Sequence, residues 1–175
     1  MARQAAVPTA SPEQTRSVGA AIAGLLRPGD VVLLVGSLGA GKTTLVQGVV
    51  AALGGRNAVT SPTFTLAHSY ETTPPVTHVD LWRLEHLQEV VDLALDEELD
   101  EGAVVVVEWG EAAESLYGAD ALVVRLDWGR AERERVISVE PRGGSWASRS
   151  DSLAEVLEAV ATAAALRGSE VAGSG

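Results

Sequence analysis

The chain has 175 residues, 46% of them hydrophobic, which is enough for one packed domain and too few for two of ordinary size. Its formal net charge of −11 argues against gripping nucleic acid directly, because that affinity comes largely from Lys and Arg neutralising phosphates. With no cysteine, neither a disulfide framework nor a thiolate zinc site is possible.

Residues 1–10 are small and polar with Pro8 and read as a flexible arm. Met1 to Pro8 has no long apolar core, and no stretch approaches the roughly eighteen consecutive apolar residues of a membrane span, so a soluble cytoplasmic protein is expected. Ser11-Pro12-Glu13-Gln14 opens a helix, with serine at the N-cap, proline at the first helical position and Gln14 placed for a capping box. The pattern Val18, Ile22, Leu25, Leu26 carries it to about Leu26, where Arg27-Pro28-Gly29 ends it. Asp30 to Val35 is a short apolar, β-branched run suited to a buried parallel strand, and Lys42 to Leu53 reads as a helix. Phe64 to Tyr70 and Val76 to Leu81 predict a hairpin around Thr72-Thr73-Pro74-Pro75. Residues 84–99 predict one helix with an acidic face, and Ala103 to Val107 an all-apolar strand ending in Glu108-Trp109-Gly110. Leu122 to Trp128 and Arg135 to Glu140 alternate as two further strands joined around Gly129-Arg130. Gly143-Gly144-Ser145 closes the compact part, Asp151 to Arg167 is alanine-rich and helical in propensity, and the tail from Gly168 reads as disordered. The expected organisation is an arm (1–10), a domain (11–142), and a helical extension with its tail (143–175).

Between the predicted strand at 30–35 and the helix from Lys42 lies Gly36-Ser37-Leu38-Gly39-Ala40-Gly41-Lys42-Thr43, which matches the phosphate-binding pattern G-x-x-x-x-G-K-[ST] in the strand, loop, helix order it requires. Lys42 is the only lysine; the other basic residues are all arginine, whose planar fork cannot replace a compact ammonium between β- and γ-phosphates. Backbone N–H groups from Leu38 to Thr43, Gly39, Ala40 and Gly41 among them, are placed to cradle phosphates with the positive end of the following helix. Lys42 would reach the β- and γ-phosphates, the Thr43 hydroxyl would ligate Mg²⁺, and Thr44 is placed for the α-phosphate. The guanine-reading motif [NT]-K-x-D needs a second lysine, so ATP is the expected nucleotide.

Hydrolysis also needs carboxylates for the metal and the attacking water. Asp80, after Thr77-His78-Val79 at the end of a strand, and Glu108, at the end of the most apolar strand, are the candidates, although strand-end carboxylates also cap following helices. The acidic stretch Glu89 to Glu101 contains no basic residue and reads as a solvated face. His68, His78 and His86 lack metal-ligand spacing and read as structural or hydrogen-bonding residues. Trp82, Trp109, Trp128 and Trp146 read as core or interface residues, with Trp109 placed to stiffen the site beside Glu108.

Four segments together resemble the TsaE (YjeE) family of small P-loop ATPases in bacterial tRNA threonylcarbamoyladenosine synthesis. They are Gly36 to Thr44, Ser61-Pro62-Thr63-Phe64-Thr65-Leu66, His78-Val79-Asp80-Leu81-Trp82-Arg83-Leu84 and Val107-Glu108-Trp109. The resemblance covers about residues 11–140. It implies an α/β fold of the P-loop NTPase kind, three-layered, with a central mostly parallel sheet and antiparallel hairpin strands. It also implies an ATP- and Mg²⁺-dependent ATPase, slow alone, needed for the threonylcarbamoyl group on adenosine 37 of tRNAs reading ANN codons. The group itself is transferred by a TsaB–TsaD complex on which the ATPase docks, so that tRNA is held only indirectly, through those partners. By matching position, Lys42, Thr43 and Thr44 bind phosphate and Mg²⁺, Asp80 and Glu108 serve metal and water, Thr63 resembles a switch near the γ-phosphate, and Arg130 resembles a basic nucleotide contact.

The chain departs from the family pattern at Ser37, in place of an acidic residue, and at Trp82, in place of tyrosine. A small-molecule P-loop kinase is the enzymatic rival, disfavoured because the segment after Asp80 is acidic where a lid would carry arginines. A nucleotide-gated adaptor is the other.

Overall fold

The computed structural model describes residues 5–172. In chain order the elements are β1 (Ala5–Thr9), α1 (Pro12–Ala23), β2 (Val31–Val35), α2 (Lys42–Ala52), β3 (Ala67–Tyr70), β4 (Val76–Asp80), α3 (Leu87–Asp92), α4 (Leu95–Asp100), β5 (Val104–Glu108), a 3₁₀ turn (Gly110–Ala113), α5 (Glu114–Tyr117), β6 (Leu122–Trp128), β7 (Arg135–Pro141), α6 (Gly144–Ala147) and α7 (Ser150–Ala172).

The strands form one sheet in the order β1-β7-β6-β2-β5-β4-β3. Its centre, β6-β2-β5-β4, is parallel, and the flanking pairs β1/β7, β7/β6 and β4/β3 are antiparallel. β2 is wholly apolar and β5 is apolar up to Glu108 because both their faces are covered. Val32, Leu34, Val104 and Val106 face a layer holding α1, α2 and α7, whereas Val31, Leu33, Val105 and Val107 face the layer of α3, α4 and α5. This is the three-layer α/β arrangement expected from the sequence. Among the described residues no helix is long and apolar enough to cross a membrane.

Two glycines bring α1 directly onto α2. A Cβ at Gly19 would run into the carbonyl oxygen of Leu45, and one at Gly48 into that of Arg16. The helix that carries the phosphate loop is thereby packed backbone to backbone, with Leu45, Val46 and Val49 filling the core beneath it.

Three sequence expectations are corrected. Residues 5–9 of the expected arm are an edge strand, paired antiparallel with β7 through Val7 and Ile137, with Val7 buried; residues 1–4 lie outside the described residues. Pro8 hid this strand, yet an edge strand is where a residue without N–H is accepted. The helix expected over 84–99 is two helices broken at Ala94, which takes a left-handed conformation (φ 53°). On one straight helix Val90 and Leu95 would point about 140° apart; the break lets both enter the same core. The C-terminal helix continues through Gly168 to Ala172, and 173–175 lie outside the described residues. Nor is it an appendage, since Trp146, Leu153 and Leu157 belong to the main core.

A buried ion pair fastens that helix. Arg149 donates to Asp30 at 2.6 and 2.8 Å, to the carbonyl of Leu25 at 2.8 Å and to that of Ser145 at 3.0 Å, and stacks 3.9 Å over the Trp146 ring. Asp30 also accepts from the Arg27 N–H at 2.8 Å. The pair ties the start of α7 to the entrance of β2. Substituting Arg149→Ala strands a buried carboxylate and is expected to cost about 3–5 kcal/mol in a urea unfolding titration; a loss near that of an exposed ion pair, below about 1 kcal/mol, would refute the role.

Candidate functional site

Strand β2 runs between two parallel neighbours, β5 and β6, and its carboxyl end opens into the phosphate loop, the position where open α/β sheets form ligand crevices. Gly36 leaves the strand where a Cβ would strike the carbonyl oxygen of Leu126. Gly39 (φ 76°) and Gly41 (φ 105°) hold left-handed conformations that turn the chain back into α2, with Gly41 as its N-cap. The N-terminal N–H groups of α2 therefore face the loop.

Lys42 is buried. Its Nζ donates to the carbonyls of Gly36 at 2.6 Å and Ser37 at 3.0 Å, and lies 3.9 Å from the centroid of the Trp109 ring. Burial pushes the Lys42 ammonium below its ordinary value, and the charges of Glu108, Glu111 and Asp80 oppose that shift. Trp109 stacks in turn on Trp82, with centroids 4.5 Å apart.

Asp80 and Glu108 end adjacent parallel strands and are paired directly in register, which puts both buried carboxylates on one side of the sheet at its carboxyl edge. They are held differently. Glu108 Oε1 accepts from the Thr43 hydroxyl at 2.6 Å and from His78 Nε2 at 2.8 Å. Asp80 accepts from the Ser61 hydroxyl through Oδ2 and from the Trp82 N–H through Oδ1 at 2.9 Å. Thr63 donates to Ser61 Oγ at 3.4 Å, so the 61–64 loop is attached to Asp80.

Gly39, Gly41, Lys42, Thr43, Thr44, Thr63, Asp80 and Glu108 all line one cleft of about 370 Å³. Ala40 is buried behind the loop, its N–H donating to the Ser37 carbonyl at 3.1 Å. Arg130 is not brought to this cleft: it is exposed and lines a separate cavity with Pro8 and Ala161. Across the loop from the cleft lies a further cavity of about 550 Å³ that shares Gly39, Gly41 and Thr44 with it and adds Trp128, Arg133 and Arg135.

Sequence reasoning missed the brace on the far side of the loop. Arg135 donates to the carbonyls of Ala40 and Gly39, both at 3.1 Å, and stacks 3.6 Å over Trp128, whose Nε1 donates to Ser37 Oγ at 2.9 Å. Ser37, at the departure from the family pattern, is thus occupied with the hairpin. Trp128 and Arg135 face each other across the β6/β7 ladder, a juxtaposition that no local motif signals. His86 caps α3 through its place in a capping box with Glu89, and His68 packs on Tyr70 at 5.0 Å. Of the tryptophans, Trp146 is core, Trp82 and Trp128 are about half exposed, and Trp109 covers Lys42. Among the described residues no three His, Cys, Asp or Glu side chains converge into a metal cage. The Thr43 hydroxyl beside Glu108 and Asp80 could hold a hard cation such as Mg²⁺ together with phosphate and water.

Comparison with known proteins shows the family and the fold. Residues 9–137 match the family model described as "Threonylcarbamoyl adenosine biosynthesis protein TsaE". The tRNA threonylcarbamoyladenosine biosynthesis protein TsaE of Streptomyces coelicolor is 44% identical over 140 residues, covering 76% of this chain and 94% of that protein. Its namesake in Mycobacterium tuberculosis is 40% identical over 144 residues, covering 77% and 81%. The crystal structure of YdiB from Bacillus subtilis superposes with a TM-score of 0.72 at 30% identity, covering 90% of this chain and 96% of that one. With a phosphate loop at the carboxyl edge of a three-layer P-loop NTPase fold, and similarity that spans most of its length, this chain belongs to the TsaE family of tRNA threonylcarbamoyladenosine biosynthesis proteins.

Proposed function

We propose that this chain is a Mg²⁺-dependent ATPase that acts with a TsaB–TsaD complex in forming the threonylcarbamoyl group on adenosine 37 of tRNAs reading ANN codons, without catalysing the transfer itself. The observation that carries the reading is the convergence of Lys42, Thr43, Asp80 and Glu108 on one cleft at the carboxyl edge of the sheet.

The loop N–H groups and Lys42 bind the β- and γ-phosphates, and Lys42 exchanges its bonds to the Gly36 and Ser37 carbonyls for phosphate oxygens. The bond between Thr43 and Glu108 supports placing Glu108 with Thr43 at the metal, because the hydroxyl can donate to Oε1 and still offer a lone pair to a cation. Mg²⁺, when bound there, neutralises charge that develops on the phosphates. Asp80, attached to the 61–64 loop through Ser61, is the better placed of the two to orient the attacking water. The cavity beyond Thr44 is the continuation open to the ribose and base, with Arg133 and Arg135 on its wall.

Partner docking is supported by the rim of the cleft. Leu38, 73% exposed, and the half-exposed Trp82 line the cleft, and Phe64, which follows the cleft residue Thr63 in the chain, is 85% exposed. The net charge of −11 fits a chain whose tRNA is held by its partners. Binding of the γ-phosphate near Thr63 would then order the loop that presents Phe64, so that hydrolysis resets the complex.

Three outcomes test this. Lys42→Ala should abolish measurable nucleotide binding by titration calorimetry, whereas Glu108→Ala should retain it and lower phosphate release about a hundredfold or more; normal hydrolysis by the Glu108 variant would remove it from the metal site. Phosphate release by the purified chain should rise when TsaB–TsaD is added, with no phosphorylated acceptor formed; turnover indifferent to the partners would reject the tRNA-modification role, and a phosphorylated acceptor would favour a kinase. Phe64→Ser should weaken capture of TsaB–TsaD at least about tenfold, as expected for losing a central apolar anchor, and unchanged capture would place the docking surface elsewhere.

A further inference from the structure

We infer that His78 is a positioning residue for the metal site: it presents Glu108 to the cation by saturating one carboxylate oxygen from inside the sheet. The inference rests on the reading of Thr43 and Glu108 as the metal-binding pair.

His78 lies two residues before Asp80 on β4, so its side chain leaves the same side of the sheet as that of Asp80, and it pairs with Val106, two residues before Glu108. The ring is completely buried. A carboxylate has only acceptors, so the 2.8 Å contact makes His78 Nε2 the donor and fixes the proton on that nitrogen. The remaining nitrogen, Nδ1, is buried without a hydrogen-bond partner. An imidazole with one unpaired nitrogen costs the fold free energy that an apolar side chain such as the neighbouring Val76 or Val79 avoids. Stability therefore does not account for a histidine here, and the Nε2 donor does.

The consequence for Glu108 is geometric. Both its hydrogen bonds, from Thr43 at 2.6 Å and His78 at 2.8 Å, end on Oε1, so Oε2 is the oxygen left for the cleft that Glu108 lines. Thr43 alone cannot enforce this, since its hydroxyl rotates and is itself a metal ligand in the proposed site. His78, by contrast, is completely buried on β4 and is not a ligand in the proposed site. It also keeps the carboxylate from swinging to the nearby Lys42 ammonium, which is already drawn to Glu108 by opposite charge. Hydrogen-bond partners that orient ligands in this way typically change metal affinity by about 10–100-fold when removed.

Three substitutions separate the donor from the bulk. Gln places an amide N–H near the position of Nε2, Asn is polar but one bond too short to reach Glu108, and Leu is apolar. The measurement is Mn²⁺ binding to each protein with ADP present, by electron paramagnetic resonance, alongside ADP binding in EDTA and thermal melting. His78→Asn and His78→Leu should bind Mn²⁺ about 10–100-fold more weakly, with ADP affinity in EDTA within about twofold, and His78→Gln should recover to within about threefold of the unsubstituted chain. Asn and Gln both retain polarity, so this pair decides the matter even if the Leu variant does not fold. Equal Mn²⁺ affinity in all variants, or Gln as weak as Asn, overturns the inference while leaving the metal site in place. Absence of ADP-dependent Mn²⁺ binding to the unsubstituted chain overturns both the inference and the metal-site reading beneath it.

Discussion

Two carboxylates held side by side out of water are the constraint around which this molecule is organised. Parallel pairing of β4 with β5 sets Asp80 directly beside Glu108 at the sheet edge, both buried, where their charges repel and each loses hydration. Hydrogen-bond donors meet that cost residue by residue: Ser61 and the Trp82 N–H on one, Thr43 and His78 on the other. Lys42 supplies a compensating cation, and its ammonium is bonded to the Gly36 and Ser37 carbonyls. The acids therefore remain available to a ligand. A lysine bonded to Glu108 would have neutralised the site and closed it.

The same arrangement explains why the phosphate loop is gripped from several sides. Backbone contact through Gly19 and Gly48 holds α2 from behind, the Trp128 and Arg135 brace holds the loop from the β6/β7 hairpin, and Trp109 lies over Lys42 from the end of β5. A loop whose N–H groups must converge on phosphate gains from such preorganisation, because order present before binding is not lost upon it. The 61–64 loop is held more lightly. Ser61 donates to Asp80, Thr63 to Ser61, and the Leu66 N–H to the Pro62 carbonyl, while Phe64 stands in solvent with the Arg83 guanidinium over its ring. A braced phosphate loop beside a loop that exposes Phe64 fits the proposed docking of a partner.

Local sequence carried much of this. The octet from Gly36 to Thr43 names a loop geometry outright, because its glycines and its lysine are needed for reasons that act within a few residues. The apolar runs at β2 and β5 are legible because a strand buried on both faces admits little else. The elements misread from sequence were those whose conformation depends on a distant partner. β1 forms because β7 offers it an edge, the break at Ala94 serves two side chains that must enter one core, and α7 is fastened by an ion pair between Asp30 and Arg149, 119 positions apart.

The sequence by itself determined the chemistry on offer: one lysine in a phosphate loop, a hydroxyl after it, and two acids at strand ends. Only the tertiary structure decided how those groups face one another. Which acid shares a hydrogen bond with Thr43, which one is attached to the 61–64 loop, that His78 stands behind Glu108, and that Trp128 and Arg135 brace the loop while Arg130 does not are all matters of strand register and sheet order. The physical reason is range. Propensity and motif act over a few residues along the chain, whereas register is set by the burial of whole strands, which pairs residues dozens of positions apart and leaves no local trace.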